Sequence, residues 1–228
     1  MPTNKTASIP LIVIASQNEA TGLIPRLALQ RDPSFEFAGR DREPNIGFYR
    51  GNKCNLAITG VLEHHMVAAT ALVLSRLGGE IPFVLNYGAV GCYRSTSKAN
   101  GPAIGETVIV RKVCRFDVDD NLHWVPPIDL HVPPVDLRSV VCVTGSRYSN
   151  LNDYESPFFP ADGQVEDMEL YSLAVLLSAF RIPLTALKFV VNSLPSNGPG
   201  QAKQNHTLTR CSADNTFLVV FEKCIIAK

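Results

Sequence analysis

Five polar clusters break an otherwise apolar pattern, and each follows or lies within a segment that reads as buried: Glu19, Gly88-Ala89-Val90-Gly91, Gly145-Ser146-Arg147-Tyr148, Met168-Glu169 and Asn192. Two carboxylates, an amide and a phenol ring are groups that bind a polar ligand by accepting and donating hydrogen bonds. Glu169 is the most informative of them. A carboxylate in a nearly apolar segment is costly unless something binds it. In open α/β sheets ligands sit outside the carboxyl ends of the strands, so clusters placed there point to one cleft.

Several familiar chemistries are excluded. The sequence has no GxGxxG after a strand and no GxxxxGK[ST], so dinucleotide and P-loop sites have no support. It has no GxSxG elbow and no HExxH helix. His64 and His65 are adjacent, and neighbours on a helix face different ways, which argues against one shared metal ion. Asp117, Asp119 and Asp120 read as a solvated loop.

The elements that must position the clusters follow from apolar runs. Six of these, rich in β-branched residues, read as buried strands: Ile9 to Ala15, Asn55 to Thr59, Pro82 to Tyr87, Glu106 to Arg111, Ser139 to Thr144, and Pro183 to Val191. Leu62 to Leu77 reads as a helix stopped by Gly78-Gly79. Val165 to Phe180 reads as one nearly buried helix carrying Met168 and Glu169, and Thr209 to Ile226 as another. Ser16-Gln17-Asn18-Glu19 resembles a capping box, but Gly22 and Pro25 would disturb a helix continuing from it, so a short turn and then a regular helix from about Pro25 are expected. Trp124 to Val135 and Ser149 to Gly163 read as surface loops. This order implies a single α/β domain over residues 1–228, a three-layer αβα sandwich around a mixed central sheet.

Composition agrees with a packed globular chain. Of 228 residues, 46% are hydrophobic and 18% charged, and 21 basic residues balance 21 acidic ones. Neutrality gives no support to a nucleic-acid partner. The six cysteines form no CxxC pair, and Leu11 to Ala15 is too short for a signal core or a membrane span. A reduced, cytoplasmic setting is expected.

Four segments resemble the nucleoside phosphorylase and nucleosidase superfamily, above all the methylthioadenosine/S-adenosylhomocysteine nucleosidases and the futalosine hydrolases. LIVIASQNEATGL at 11–23 is similar to the family's first strand and acidic turn. Gly60 to Leu74 with LNYGAVG at 85–91 resembles its glycine turn, alanine-rich helix and NxGxxG strand end. VTGSRYSNL at 143–151 resembles SGDxFI, and VEDMELYSLA at 165–174 with PLTALKFVVNS at 183–193 resembles the VEMEA helix and the strand after it.

The resemblance implies roles position by position. Glu19 falls on the glutamate that orients or deprotonates the attacking water. Met168 and Glu169 fall on the ribose-binding pair, Tyr148 on the ring that stacks on the base, and Asn192 on the residue that addresses the leaving base. Ala89 falls where a serine is usual. No metal or organic cofactor is implied, and a homodimer acting on a small nucleoside is.

Departures from the family shape the expectation. Asn192 replaces an aspartate and has no titratable proton, but its amide donates and accepts, which suits a 6-oxopurine. Futalosine hydrolases, which act on a hypoxanthine nucleoside, resemble this sequence there. Asn86 and Ala89 stand where phosphorylases carry an arginine and a serine for phosphate, which favours water as nucleophile. Val61-Leu62-Glu63 replaces a small turn, Ser146 replaces an aspartate and Lys188 an arginine. Simpler accounts remain open. Glu19 serves the capping box alone, Met168 is core, Tyr148 is a loop residue, and Asn192 caps a turn. A phosphorylase and a nucleoside-binding protein without turnover are the rivals.

Overall fold

A computed structural model describes residues 8–35, 47–77, 81–93, 101–116, 125–146, 160, 162–194 and 199–226. In chain order the elements are β1 (Leu11–Ile14), α1 (Gln17–Ala20), α2 (Leu23–Arg26), β2 (Gln30–Arg31), β3 (Gly47–Arg50), β4 (Asn55–Ile58), α3 (Glu63–Leu77) and β5 (Val84–Tyr93). There follow β6 (Thr107–Arg115), β7 (Ile128–Asp129), β8 (Ser139–Thr144), β9 (Val165–Asp167), α4 (Leu170–Ala179), β10 (Leu184–Leu194) and α5 (Pro199–Ile226). Tyr148 lies outside the described residues, as does most of the expected loop Ser149 to Gly163.

The strands pair in the order β10-β6-β8-β9-β5-β1-β4-β3-β2, and β10 also pairs with β5. The second pairing closes β5, β10, β6, β8 and β9 into a ring, from which β1, β4, β3 and β2 extend as an open sheet. Parallel pairs (β1 with β4 and β5, β10 with β5) mix with antiparallel ones (β10 with β6, β5 with β9).

Alternation along the strands explains the layers. In β1, Leu11 and Val13 face the side covered by Met66 and Val73 of α3 and by Leu170, Leu173 and Leu177 of α4. Ile12 and Ile14 face the other side, with Leu23 of α2 and Ala213, Phe217, Val220 and Phe221 of α5. β10 divides the same way, Leu184, Ala186 and Val190 against Leu187, Phe189 and Val191. Both faces are covered, which is why these strands read as unbroken apolar runs. The expected αβα layering is present.

Four expectations about the elements are corrected. Val165 to Phe180 is not one helix: Val165–Asp167 is a strand between β5 and β8, and the helix starts at Leu170. No regular helix starts at Pro25. The chain makes two single turns and its backbone reverses at Ala28 with φ 51°, and glycine is required between the turns, where a Cβ on Gly22 would stand 1.9 Å from Oδ2 of Asp214. The proline-rich stretch after Trp124 is not merely a loop, since β7 pairs with β6 and His131 N–H donates to Leu184 O at 2.9 Å. The last helix begins ten residues before Thr209 and reaches the site. Among the described residues no helix is long and apolar enough to cross a membrane.

Candidate active site

A cleft of about 420 Å³ opens at the carboxyl ends of β1, β5 and β10. The turn after β1 brings Glu19, β5 brings Ala89 to Gly91, the end of β9 brings Glu166 to Glu169, β10 brings Val191 and Asn192, and α5 closes one wall. Of the residues singled out from sequence, Glu19, Ala89, Met168, Glu169 and Asn192 all line this one space.

Glu19 is held by both of the devices weighed for it. Its Oε2 accepts from the N–H and the hydroxyl of Ser16 at 2.9 Å each, completing the capping box of α1. Its Oε1 accepts from Ala89 N–H at 2.8 Å and keeps a lone pair for a ligand. Capping therefore aims the carboxylate rather than competing with a site role. The backbone of β5 approaches closely at Gly88. A methyl there would lie 3.0 Å from Glu19 Oε1 and 3.7 Å from Lys188 Nζ, so glycine leaves room for both side chains over the strand.

Lys188 and Asp167 form a buried ion pair, Nζ to Oδ2 at 2.8 Å, with side chains 3% and 1% exposed. Oδ1 of Asp167 accepts from Thr144 Oγ1 at 2.6 Å and from Leu170 N–H at 3.3 Å. Burial alone would push the Lys188 ammonium down, but Asp167, with Cys142 and Glu169 near, carries it above its ordinary value. Neither residue of this pair was assigned a site role from the sequence, although Lys188 stands as a lone charge in an apolar run and Asp167 lies among the acids Glu166 and Glu169. The lone cation of that run was the available signal.

Met168 and Glu169 stand at the turn between β9 and α4, not inside a helix as expected. Glu169 is the N-cap of α4, where the helix dipole favours an acid. Its carboxylate leaves its own helix and accepts from Leu62 N–H at 2.9 Å. Leu62 pays for that approach with φ 85°, a left-handed conformation disfavoured for a branched side chain. Burial, with Asp167 beside it, pushes the Glu169 carboxyl up to about 7 against the pull of Lys188 and the Leu62 amide. Met168 also lines a second cavity of about 540 Å³ with Leu62, Glu63, Arg115 and Ser146.

Asn192 does not close its strand, since β10 runs on to Leu194. It follows a register shift: Val190 pairs with Val90, but Asn192 pairs with Gly91, so Val191 is extra. Such a bulge re-aims the next side chain, and Asn192, 2% exposed, lines the cleft. Asn86 points elsewhere, its amide donating to Val13 O at 3.1 Å in the core. The sheet at this edge therefore offers a ligand no hydroxyl from Ala89 and no cation from Asn86.

The same fold occurs in solved structures. Arabidopsis thaliana 5′-methylthioadenosine nucleosidase superposes with a TM-score of 0.78 at 20% identity, over 94% of this chain and 95% of that one. A Helicobacter pylori MTAN mutant with 5′-methylthioadenosine in the active site gives 0.75 at 15%, over 94% and 97%. A putative methylthioadenosine/S-adenosylhomocysteine nucleosidase from Borrelia burgdorferi, bound to adenine, gives 0.72 at 15%, over 96% and 100%. This chain has the nucleosidase fold. The likeness spans nearly the whole of each chain and is one of structure, for no family model and no curated protein matches the sequence.

Proposed function

We propose that the chain is an N-glycosyl hydrolase that cleaves the bond between a purine base and its ribose, with water as the nucleophile. The observation that carries this reading is the placement of Glu19. One carboxylate oxygen is fixed by Ser16, and the other rests on Ala89 N–H and faces the cleft that Glu169 also lines. Glycosidic cleavage gathers positive charge on the sugar and negative charge on the base. Glu169, ionised, accepts from the ribose hydroxyls and stabilises the sugar electrostatically. Glu19 orients a water at the anomeric carbon and takes its proton as the new C–O bond forms. Asn192 donates to O6 of the departing base and accepts from its N7–H where the base leaves protonated there, a pairing that suits a 6-oxopurine. Tyr148 is assigned to the base by the resemblance alone.

Water is favoured over phosphate because Ala89 carries no hydroxyl and the Asn86 amide is turned into the core. A cytoplasmic homodimer active in nucleoside salvage goes with this reading, on the resemblance alone. A second reading, nucleoside binding without turnover, has one observation in its favour: Asn192 has no proton to give up at neutral pH.

The test is base release. The purified chain is incubated with inosine, adenosine, methylthioadenosine, S-adenosylhomocysteine and futalosine, with and without phosphate, and free base is followed by chromatography. Release without phosphate, fastest from a hypoxanthine nucleoside, is expected. Strict dependence on phosphate would make the chain a phosphorylase. Tight binding with no release would make it a binding protein.

A further inference from the structure

One wall of the cleft takes no part in the proposed hydrolysis. Lys203, His206, Thr207 and Arg210 all line it from α5. Spacings of three, four and seven put them on one face of the helix. That face is held in place at two points. Asn205 Nδ2 donates to Val191 O at 2.8 Å, beside the bulge, and one Arg210 nitrogen donates to Asn18 O at 3.0 Å, beside Glu19. The Lys203 ammonium is exposed and has no hydrogen-bond or ion-pair partner among the described residues.

We propose that this wall binds an anionic group on the 5′ arm of the nucleoside, a phosphate or a carboxylate. The inference rests on the hydrolase reading and deepens it. A nucleoside has three ends to place. The ribose hydroxyls belong to Glu169 and the base to Asn192. The wall left over is the one formed by the α1 turn and α5, and the 5′ arm is the end left over. What lines that wall is a row of donors, two of them permanent cations. The chain's net charge is zero, so this positive face is a local feature and not the overflow of a basic protein. Glu19 lines the same cleft, but three protein donors, the N–H and hydroxyl of Ser16 and the N–H of Ala89, already engage its carboxylate.

The test compares three hypoxanthine nucleosides that differ only at the 5′ position: inosine, inosine 5′-phosphate and the 5′-carboxylate. Binding is read by calorimetry and base release by chromatography, at low and high salt, for the native chain, Lys203→Glu and Arg210→Met. The native chain should favour one or both anionic compounds over inosine by about tenfold at low salt, with the preference shrinking at high salt. Lys203→Glu should erase or invert that ratio. Since Lys203 is exposed, this variant tests the wall even if Arg210→Met fails to fold. Preference for the phosphate alone assigns a nucleotide, and preference for both assigns an anion of either kind. Equal handling of all three compounds, or a ratio untouched by Lys203→Glu, overturns the inference and leaves the hydrolase reading standing. If the native chain neither binds nor cleaves any of the three, its reading as a hypoxanthine nucleosidase fails and this inference falls with it.

Discussion

The two ends of the cleft are built on opposite principles. At the end that the proposed function gives to the sugar, charged groups are locked before any ligand arrives: Glu19 by Ser16 and Ala89, Asp167 by Lys188, Thr144 and Leu170, Glu169 by Leu62. At the end it gives to the base, a neutral amide, Asn192, is aimed by one extra residue in a strand. Charge must be preorganised where a cation develops, since reorganising it during the reaction would cost the rate gain. Selecting a base needs hydrogen-bond complementarity instead, which a single amide supplies. The difference teaches that turnover and base choice should be separable by mutation.

The largest break should come at the sugar end. Glu169→Ala removes charge-assisted bonds to the ribose hydroxyls and should lower kcat/KM by roughly 100-fold or more, with nucleoside binding lost in calorimetry. Unchanged binding would place the sugar elsewhere. Because the folded carboxyl is pushed up to about 7, nucleoside affinity should rise as pH climbs through neutrality and the group ionises. Stability runs the other way. The stability from that raised value is full below the unfolded carboxyl's ordinary range and is lost as pH rises through about 7.

Next in size is Lys188→Met, which leaves Asp167 as an uncompensated buried charge. It should cost roughly 3–5 kcal/mol of stability, and adding Asp167→Asn should return much of it. Denaturant unfolding reads both, and additive losses would mean that the pair is not coupled.

At the base end Asn192→Asp should leave the sugar contacts in place and move preference from hypoxanthine toward adenine nucleosides by about tenfold or more, read as the ratio of kcat/KM. An unaltered ratio would mean that Asn192 does not face the base. The smallest effect is expected at Leu62→Gly. Relief of the left-handed backbone is worth about 1–2 kcal/mol and is partly offset by the freer unfolded chain, for a net gain of at most about 1 kcal/mol in thermal unfolding. A net loss would show that packing of the Leu62 side chain outweighs the strain.

Much of this architecture was legible in the chain, for identifiable reasons. Strands buried on both faces leave unbroken apolar runs, so β1, β4, β8 and the first half of β5 read directly. The capping box at Ser16 read correctly and located Glu19. Segments governed by pairing partners far away in sequence did not read. Val165–Asp167 carries two acids and looks helical, yet β5 and β8 on either side make it a strand. Gly88 to Gly91 looks like a strand end because glycines suggest turns, but β10 pairs along its whole length. The wall of α5 stayed hidden because nothing in Lys203 to Arg210 marks an inward face until Asn205 and Arg210 anchor the helix.

The most direct test of the account is base release by Glu19→Gln. Glutamine serves the third position of a capping box as glutamate does, so the turn and the fold should survive. What is lost is the charge that activates water. The account predicts nucleoside binding within a few-fold of the native chain and base release slowed by roughly 100-fold or more. Undiminished release by a folded Glu19→Gln protein would contradict it.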